Sequence, residues 1–193
     1  MTLNQEIVVV SGLPRSGTSL MMQMLKNGGV EVVTDHLRTA DQDNPKGYFE
    51  FEAVKEIQED ASWLPETRGK ALKMISMLLY QLPPTEKYRV LFMERDLEEV
   101  LRSQETMLRR LNRNPAPHEQ MLEAYKIHLE QLENWLKGRP DITILKVGYK
   151  ALIEQSQQQA QRIGEFLGRK LDVDEMTKAV DPVLYRNRGQ TGQ

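Results

Sequence analysis

A glycine-containing turn near the start of the chain is the first place where residue types and spacing predict chemistry. The segment reads VVVSGLPRSGTSLMMQML, so a buried-strand pattern ends at Gly12 and a helical pattern begins directly after Gly17. The glycines allow a tight turn in which backbone N–H groups converge, and the helix adds unpaired N–H groups and its positive dipole end. Arg15 adds a permanent cation, while Thr18 and Ser19 add hydroxyl donors. The sequence therefore predicts a site for a phosphate or sulfate group.

This turn differs at one position from the loop that binds nucleoside triphosphates. Gly12 and Gly17 have the spacing of G-x-x-x-x-G-K-[ST], but Thr18 stands where that pattern has lysine. Kinases and GTPases use that lysine on the β- and γ-phosphates, so its absence argues against ordinary ATP or GTP hydrolysis. One alternative stays open, because VLFM followed by an acid is typical of a magnesium-binding strand. A Mg²⁺-dependent P-loop kinase or NTPase using Glu94 or Asp96 is therefore the second hypothesis.

A second arginine follows another buried strand. The run YRVLFME leads into Arg95 and Asp96, and a helix is predicted from Leu97 with Asp96 as its N-cap. Arg95 and Ser103 are eight residues apart. If the helix folds back beside the carboxyl end of the strand, both side chains can reach one anion.

Together the two segments resemble the sulfotransferases that use 3′-phosphoadenosine 5′-phosphosulfate (PAPS). GLPRSGTS is similar to the 5′-phosphosulfate loop of that family, and Arg95 with Ser103 resembles its 3′-phosphate motif. The stretch from ILKV through Tyr149 to a helix ending in Phe-Leu-Gly is similar to a third family segment, which places a tyrosine near the adenine. The resemblance covers residues 7 to about 168.

The resemblance implies which residues bind PAPS. Those expected at the 5′-phosphosulfate are Pro14, Arg15, Ser16, Gly17, Thr18 and Ser19. Arg95 and Ser103 would hold the 3′-phosphate, Tyr149 would lie near the adenine, and Arg186 or Arg188 could add a cation. The implied reaction is transfer of a sulfuryl group from PAPS to a hydroxyl or amine of a small acceptor, and it requires no metal.

Sulfuryl transfer needs a cation where charge develops on the leaving oxygen and a base for the acceptor's proton. Arg15 is expected to be that cation. Many family members carry Lys-x-His on the strand before the Arg-Asp strand, but ALKMIS supplies Lys73 and has Ile75 in the histidine position. Other branches of the family take the base from the region after the first helix, where Asp35 and His36 are the preferred candidates for the catalytic base and Glu50 is the next. The missing histidine keeps a third hypothesis open, a non-catalytic nucleotide-binding module of the same fold.

Alternating strands and helices must position these groups. The patterns predict strands at 6–11, 30–33, 71–76, 88–93 and 142–147, and helices at 18–27, 50–62, 97–112, 118–137, 151–167 and 172–180. Such alternation predicts an α/β fold with a mainly parallel sheet between two layers of helices, as in P-loop NTPases. We expect a single domain over residues 1–193, with an active-site loop at 34–49 and a flexible tail at 186–193.

Composition excludes several other classes of protein. The chain has 193 residues, a net charge of −2 and no cysteine, which excludes disulfide scaffolds, thiol nucleophiles and iron–sulfur clusters. There is no global positive charge to attract nucleic acid or an anionic membrane, and no apolar run approaches the ~20 residues of a membrane helix. We therefore expect a cytoplasmic protein whose partner is a small acceptor. No pattern encodes the identity of that acceptor or the oligomeric state.

Overall fold

Four parallel strands form the centre of the protein. The computed structural model describes residues 5–35, 37 and 47–181, and its strands are β1 (Ile7–Gly12), β2 (Ala71–Lys73), β3 (Tyr88–Glu94) and β4 (Ile142–Gly148). Their order across the sheet is β2-β1-β3-β4, and every neighbouring pair is parallel. The carboxyl ends of the strands therefore meet at one edge, where ligands bind in open α/β sheets.

Helices follow the strands and confirm the α/β architecture expected from the sequence. They are α1 (Thr18–Asn27), α2 (Leu97–Arg110), α3 (His118–Leu136), α4 (Tyr149–Glu154), α5 (Ser156–Leu167) and α6 (Val173–Lys178). The Asp96 side chain accepts a hydrogen bond from the backbone N–H of Glu99, so it caps α2 as predicted. Within the described part of the chain, no helix has both the length and the apolar character to cross a membrane.

Apolar side chains cover both faces of the sheet, which is why β1 is buried along its whole length. Val8 and Val10 point to one face and pack in a cluster with α1, α5 and α6, while Ile7 and Val9 point to the opposite face, towards α3. A smaller third cluster joins α2 to α3 and consists of Leu13, Val100, Leu101 and Tyr125. The core thus holds the β1–α1 turn rigidly between two packed layers.

The strand predicted at 30–33 does not form. Only Val32 makes a bridge, to Ala71 on the outer side of β2. Beyond it the backbone turns away from the sheet, because Asp35 N–H donates to the carbonyl oxygen of Glu50. The segment is thus drawn into contact with the residues that precede the 3₁₀ turn at 52–56.

Two predicted helices also differ from the structure. The range 50–62 contains a short 3₁₀ helix at 52–56, and Phe51, Val54 and Ile57 follow its three-residue period. The predicted helix 151–167 is two helices, because the backbone of Gln155 leaves the helical region at φ −133° and ψ 44°. The predicted tail 186–193, with Arg186 and Arg188, lies outside the described residues, as do 36 and 38–46 of the predicted loop.

Candidate active site

At both ends of the turn between β1 and α1, only glycine fits. Gly12 has φ 149°, and a Cβ there would lie 2.5 Å from Oγ of Ser16 and 2.7 Å from the carbonyl oxygen of Met93. Gly17 has φ 108°, and a Cβ there would lie 2.4 Å from Cδ2 of Tyr149. Both glycines are therefore required by close contacts as well as by their backbone conformation.

The start of α1 offers donors to an anion. Gly17 is its N-cap, so no side chain caps the helix, and its first turn contains no acidic residue. Thr18 and Ser19 lie in that turn, half-buried. The hydroxyl of Ser16 is buried and has no hydrogen-bond partner within the described structure. This combination suits a phosphate or sulfate group, because unpaired N–H groups and a helix dipole favour negative charge.

Arg15 adopts a left-handed backbone conformation at φ 70°, which a residue with a large side chain rarely takes and which clusters at functional sites. Its Nε donates to the hydroxyl oxygen of Ser103 at 3.1 Å. Ser103 is buried on α2. The turn therefore directs its cation towards the serine expected at the 3′-phosphate.

Arg95 follows β3 directly and faces the glycine turn. Its side chain is only 8% exposed; Nε donates to Oε2 of Glu99 at 2.9 Å, and Nη1 donates to the carbonyl oxygen of Arg15 at 3.2 Å. The guanidinium also lies 4.5 Å from the ring centroid of Tyr149, an attractive cation–π distance. The structure therefore brings together Arg15, Arg95, Ser103 and Tyr149, which sequence reasoning drew from three separate segments.

Tyr149 closes this cluster from the β4 side. It begins α4 directly after β4 ends, and its ring contacts both Gly17 and Arg95. Burial raises the pKa of its phenol, so the hydroxyl stays protonated and remains a hydrogen-bond donor at neutral pH. Its ring therefore lies between the glycine turn and the Arg95 guanidinium.

A second group of side chains lies on the β2 side of the same loop. The Lys73 ammonium donates to the carbonyl oxygen of Tyr48, lies 3.4 Å from Oγ of Ser19 and 3.6 Å from Oε1 of Glu50. Phe49, between those two loop residues, has φ 52°, a conformation that is strained for an aromatic residue. Lys73 thus points into the site and holds Glu50 near the first turn of α1.

The other two candidate bases differ from Glu50 in their surroundings. The carboxylate of Asp35 accepts hydrogen bonds from the backbone N–H groups of Glu52 (2.6 Å) and Leu37 (3.0 Å), so it braces the loop. His36 lies outside the described residues. Glu50 is therefore the candidate base that the structure brings closest to Lys73 and Ser19.

Glu94, the acid of the magnesium-binding alternative, has a different partner. Oε1 of Glu94 lies 3.2 Å from the ammonium of Lys146, and the Glu94 side chain is 47% exposed. Among the residues that the structure describes, no three histidine or acidic side chains cluster as metal ligands.

Sequence reasoning missed two residues of the site. Glu99 pairs with Arg95 inside the protein, and the signal was its position four residues after Arg95, at the N-terminus of a helix. Tyr48 binds Lys73 through its backbone carbonyl, so its side-chain type carries no signal for this contact.

Three solved structures of similar fold are named sulfotransferases or sulfotransferase domains. The sulfotransferase domain from the curacin biosynthetic pathway superposes with a TM-score of 0.57 at 18% identity, over 91% of this chain and 78% of that one. The sulfotransferase domain of the Synechococcus PCC 7002 olefin synthase gives 0.56 at 15% identity, over 97% and 90%. Mouse sulfotransferase SULT7A1, complexed with PAP, gives 0.51 at 14% identity, over 91% and 62%.

The sequence itself has a more specific match. No curated protein sequence matches the chain, but a model of the sulfotransferase domain family matches residues 5–188. That range contains the glycine turn, the Arg95 cluster and the Lys73–Glu50 pair. The chain therefore belongs to the sulfotransferase family.

Proposed function

We propose that this protein transfers a sulfuryl group from PAPS to a hydroxyl or amine of a small acceptor. One observation carries the proposal: the two anion-binding motifs adjoin, since Arg95 donates to the carbonyl oxygen of Arg15 and Arg15 donates to Ser103. PAPS carries anionic groups on both the 3′ and 5′ sides of its ribose. Two neighbouring arginines on different elements suit such a doubly anionic nucleoside.

The residues of the turn fit the 5′ end of PAPS. Gly12 and Gly17 leave a cradle that a Cβ would fill, and the buried Ser16 hydroxyl has no hydrogen-bond partner in the described structure. With Pro14, Arg15, Thr18 and Ser19 these residues would bind the 5′-phosphosulfate. Arg95 and Ser103 would bind the 3′-phosphate, with Tyr149 beside the base. The mouse sulfotransferase solved with PAP, the desulfated form of PAPS, has a similar fold and supports this choice of donor.

The proposed chemistry divides between the two sides of the loop. PAPS supplies an activated sulfuryl group. Arg15 stabilises negative charge on the phosphate side, and Lys73 holds a positive charge beside Ser19 at the sulfate side. Glu50 accepts the proton of the acceptor hydroxyl or amine, since Lys73, which contacts both Glu50 and Ser19, places this carboxylate beside the first turn of α1. Asp35 and His36 are the alternative bases.

The test compares binding of PAP with binding of AMP, which lacks the 3′-phosphate. We expect PAP to bind at least tenfold more tightly in calorimetry and to raise the thermal unfolding midpoint more than AMP does. Arg95→Ala and Ser103→Ala should each reduce the preference for PAP over AMP. Arg109→Ala is the control: Arg109 is exposed and lies on α2 like Ser103, so its loss should leave the preference unchanged.

Equal affinity for PAP and AMP, or no saturable binding of PAP, would overturn the proposal. Turnover is then measured by mass spectrometry of sulfated products from a panel of alcohols, phenols and amines. Tight PAP binding without any product would favour a non-catalytic nucleotide-binding module.

A further inference from the structure

A cavity of about 240 Å³ lies behind the glycine turn. It opens between the carboxyl halves of β3 and β4 and is closed by α2 and α3, on the opposite face of the sheet from α1. Lys73 and Glu50 lie at the β2 edge, and β1 and β3 separate that edge from β4. The cavity is therefore separate from the proposed transfer site.

The wall of the cavity is mostly apolar and is formed by side chains of the glycine turn, β3, β4, α2 and α3. Its main side chains are Leu13, Phe92, Val100, Leu129, Leu132 and Ile144. The cavity lies at the junction of two apolar clusters, one between α2 and α3 and one between α3 and the sheet, with Leu129 packed against both. For comparison, an apolar cavity of about 150 Å³ lined by Leu, Ile and Phe is large enough to bind benzene.

The few polar groups indicate what kind of molecule fits. At the mouth, the ammonium of Lys146 pairs with Glu94 and Glu133, and these contacts raise its pKa, so the two carboxylates outnumber the one cation. Arg95 also lines the cavity, but it is engaged with Glu99. Ser16 also lines the cavity, but its hydroxyl oxygen is buried and belongs to the turn proposed to bind the 5′-phosphosulfate. Anions are therefore disfavoured, and a neutral, mainly apolar molecule is favoured.

The geometry points to a second binding site, for an uncharged apolar molecule of one or two rings, behind the anion loop. Burial against Leu132, Phe92 and Ile144 provides the affinity. Leu13 and Ser16 belong both to this wall and to the turn that faces the nucleotide site. An occupant therefore contacts the anion loop from its inner side.

Indole is a suitable probe, because it is neutral, bicyclic and mainly apolar. Wild-type protein with isotope-labelled methyl groups is titrated with indole and examined by NMR. We expect saturable shifts and intermolecular NOEs from indole protons to the methyl groups of Leu132 and Ile144. Ile144→Phe, which fills the cavity, should weaken indole binding at least tenfold, and the matched control Ile127→Phe, on the exposed side of α3, should leave it unchanged.

Each outcome decides the question. No saturable binding up to millimolar indole overturns the proposal, and so does binding with NOEs only to residues outside the cavity. Unchanged binding by folded Ile144→Phe also overturns it. If Ile144→Phe does not fold, Leu132→Phe replaces it, and the NOEs of the wild-type protein decide without any variant. The result is independent of PAP binding, so the two proposals fail separately.

Discussion

The two sides of the glycine turn are built differently. On the β3 side, Arg95 and Tyr149 stand at the ends of strands, Ser103 lies within α2, and all three contact one another or the turn. On the β2 side, Glu50 belongs to irregular backbone beside a strained Phe49, and its carboxylate pairs with a lysine from a three-residue strand. We infer that the β3 side, proposed for the nucleotide, is pre-organised, whereas the β2 side, proposed for the transfer, depends on a few contacts of the loop.

Loss of Arg95 should have the largest effect, on the pre-organised side. Arg95→Ala leaves the Glu99 carboxylate buried without its cation, so we expect the free energy of unfolding to fall by about 3–5 kcal/mol. Urea denaturation measures this change. The double variant Arg95→Ala/Glu99→Ala should recover part of the loss, and Arg109→Ala should cost almost nothing. A loss below about 1 kcal/mol for Arg95→Ala would mean that the pair does not organise the site.

Glu50→Gln should affect rate without affecting the nucleotide side. Removing the base should lower kcat at least about 100-fold, while the affinity for PAP changes less than about twofold. Steady-state kinetics with a fixed acceptor and calorimetry with PAP measure the two effects. Glu52→Gln is the matched control, since Glu52 lies two residues away and pairs with Lys55 at the surface. A normal kcat for Glu50→Gln combined with a loss for Asp35→Asn would move the base to Asp35.

Two glycines have similar φ angles, so a comparison of their alanine variants separates the cost of backbone strain from the cost of a close contact. Gly29 has φ 93° and open space, so Gly29→Ala should cost about 1 kcal/mol of stability. Gly17→Ala adds a clash with the Tyr149 ring to the same strain and should cost about 2 kcal/mol or more. It should also weaken PAP binding, which Gly29→Ala should not. Equal denaturation midpoints for the two variants would show that Tyr149 moves aside freely.

The smallest expected effect is a pH dependence outside both regions. Hydrogen bonds to Glu105 and Glu98 raise the pKa of His118 above 6.5. The folded state therefore holds this proton more tightly than the unfolded chain, so the stabilisation is fully present below pH 6.5 and is lost as pH rises through the raised pKa. His118→Gln should destabilise the protein in acid-side denaturation curves but not in alkaline ones. A difference in the free energy of unfolding between wild type and His118→Gln that does not change with pH would contradict these ion pairs.

The fold and the grouping of side chains on the β3 side of the turn could be predicted from sequence because local patterns encode them. A β-branched run before Gly12 and the Asp96 cap before α2 specify where a strand ends and a helix starts, and the strand ends of a parallel sheet must meet. The transfer side lacked such patterns. Residues 30–33 have strand composition, but they bridge β2 at one point because the backbone then hydrogen-bonds to Glu50.

Two features depended on contacts that no sequence period records. The partner of Lys73 includes the backbone carbonyl of Tyr48, which any residue supplies. The three-residue spacing of Phe51, Val54 and Ile57 fits a 3₁₀ helix as well as part of an α-helix, so the pattern alone does not separate them. The identity of the base therefore stays a prediction that kinetics must decide.

Two hydrogen bonds, from Arg95 to the Arg15 carbonyl oxygen and from Arg15 to Ser103, connect the end of β3, the glycine turn and α2 in one network. Loss of one of these hydrogen bonds weakens the other, so substitutions within this network should not have additive effects on the affinity for PAP. A nucleotide with charge at only one end would also contact only part of this network. Discrimination among nucleotides would then arise from the stiffness of the protein as well as from the number of charges it meets.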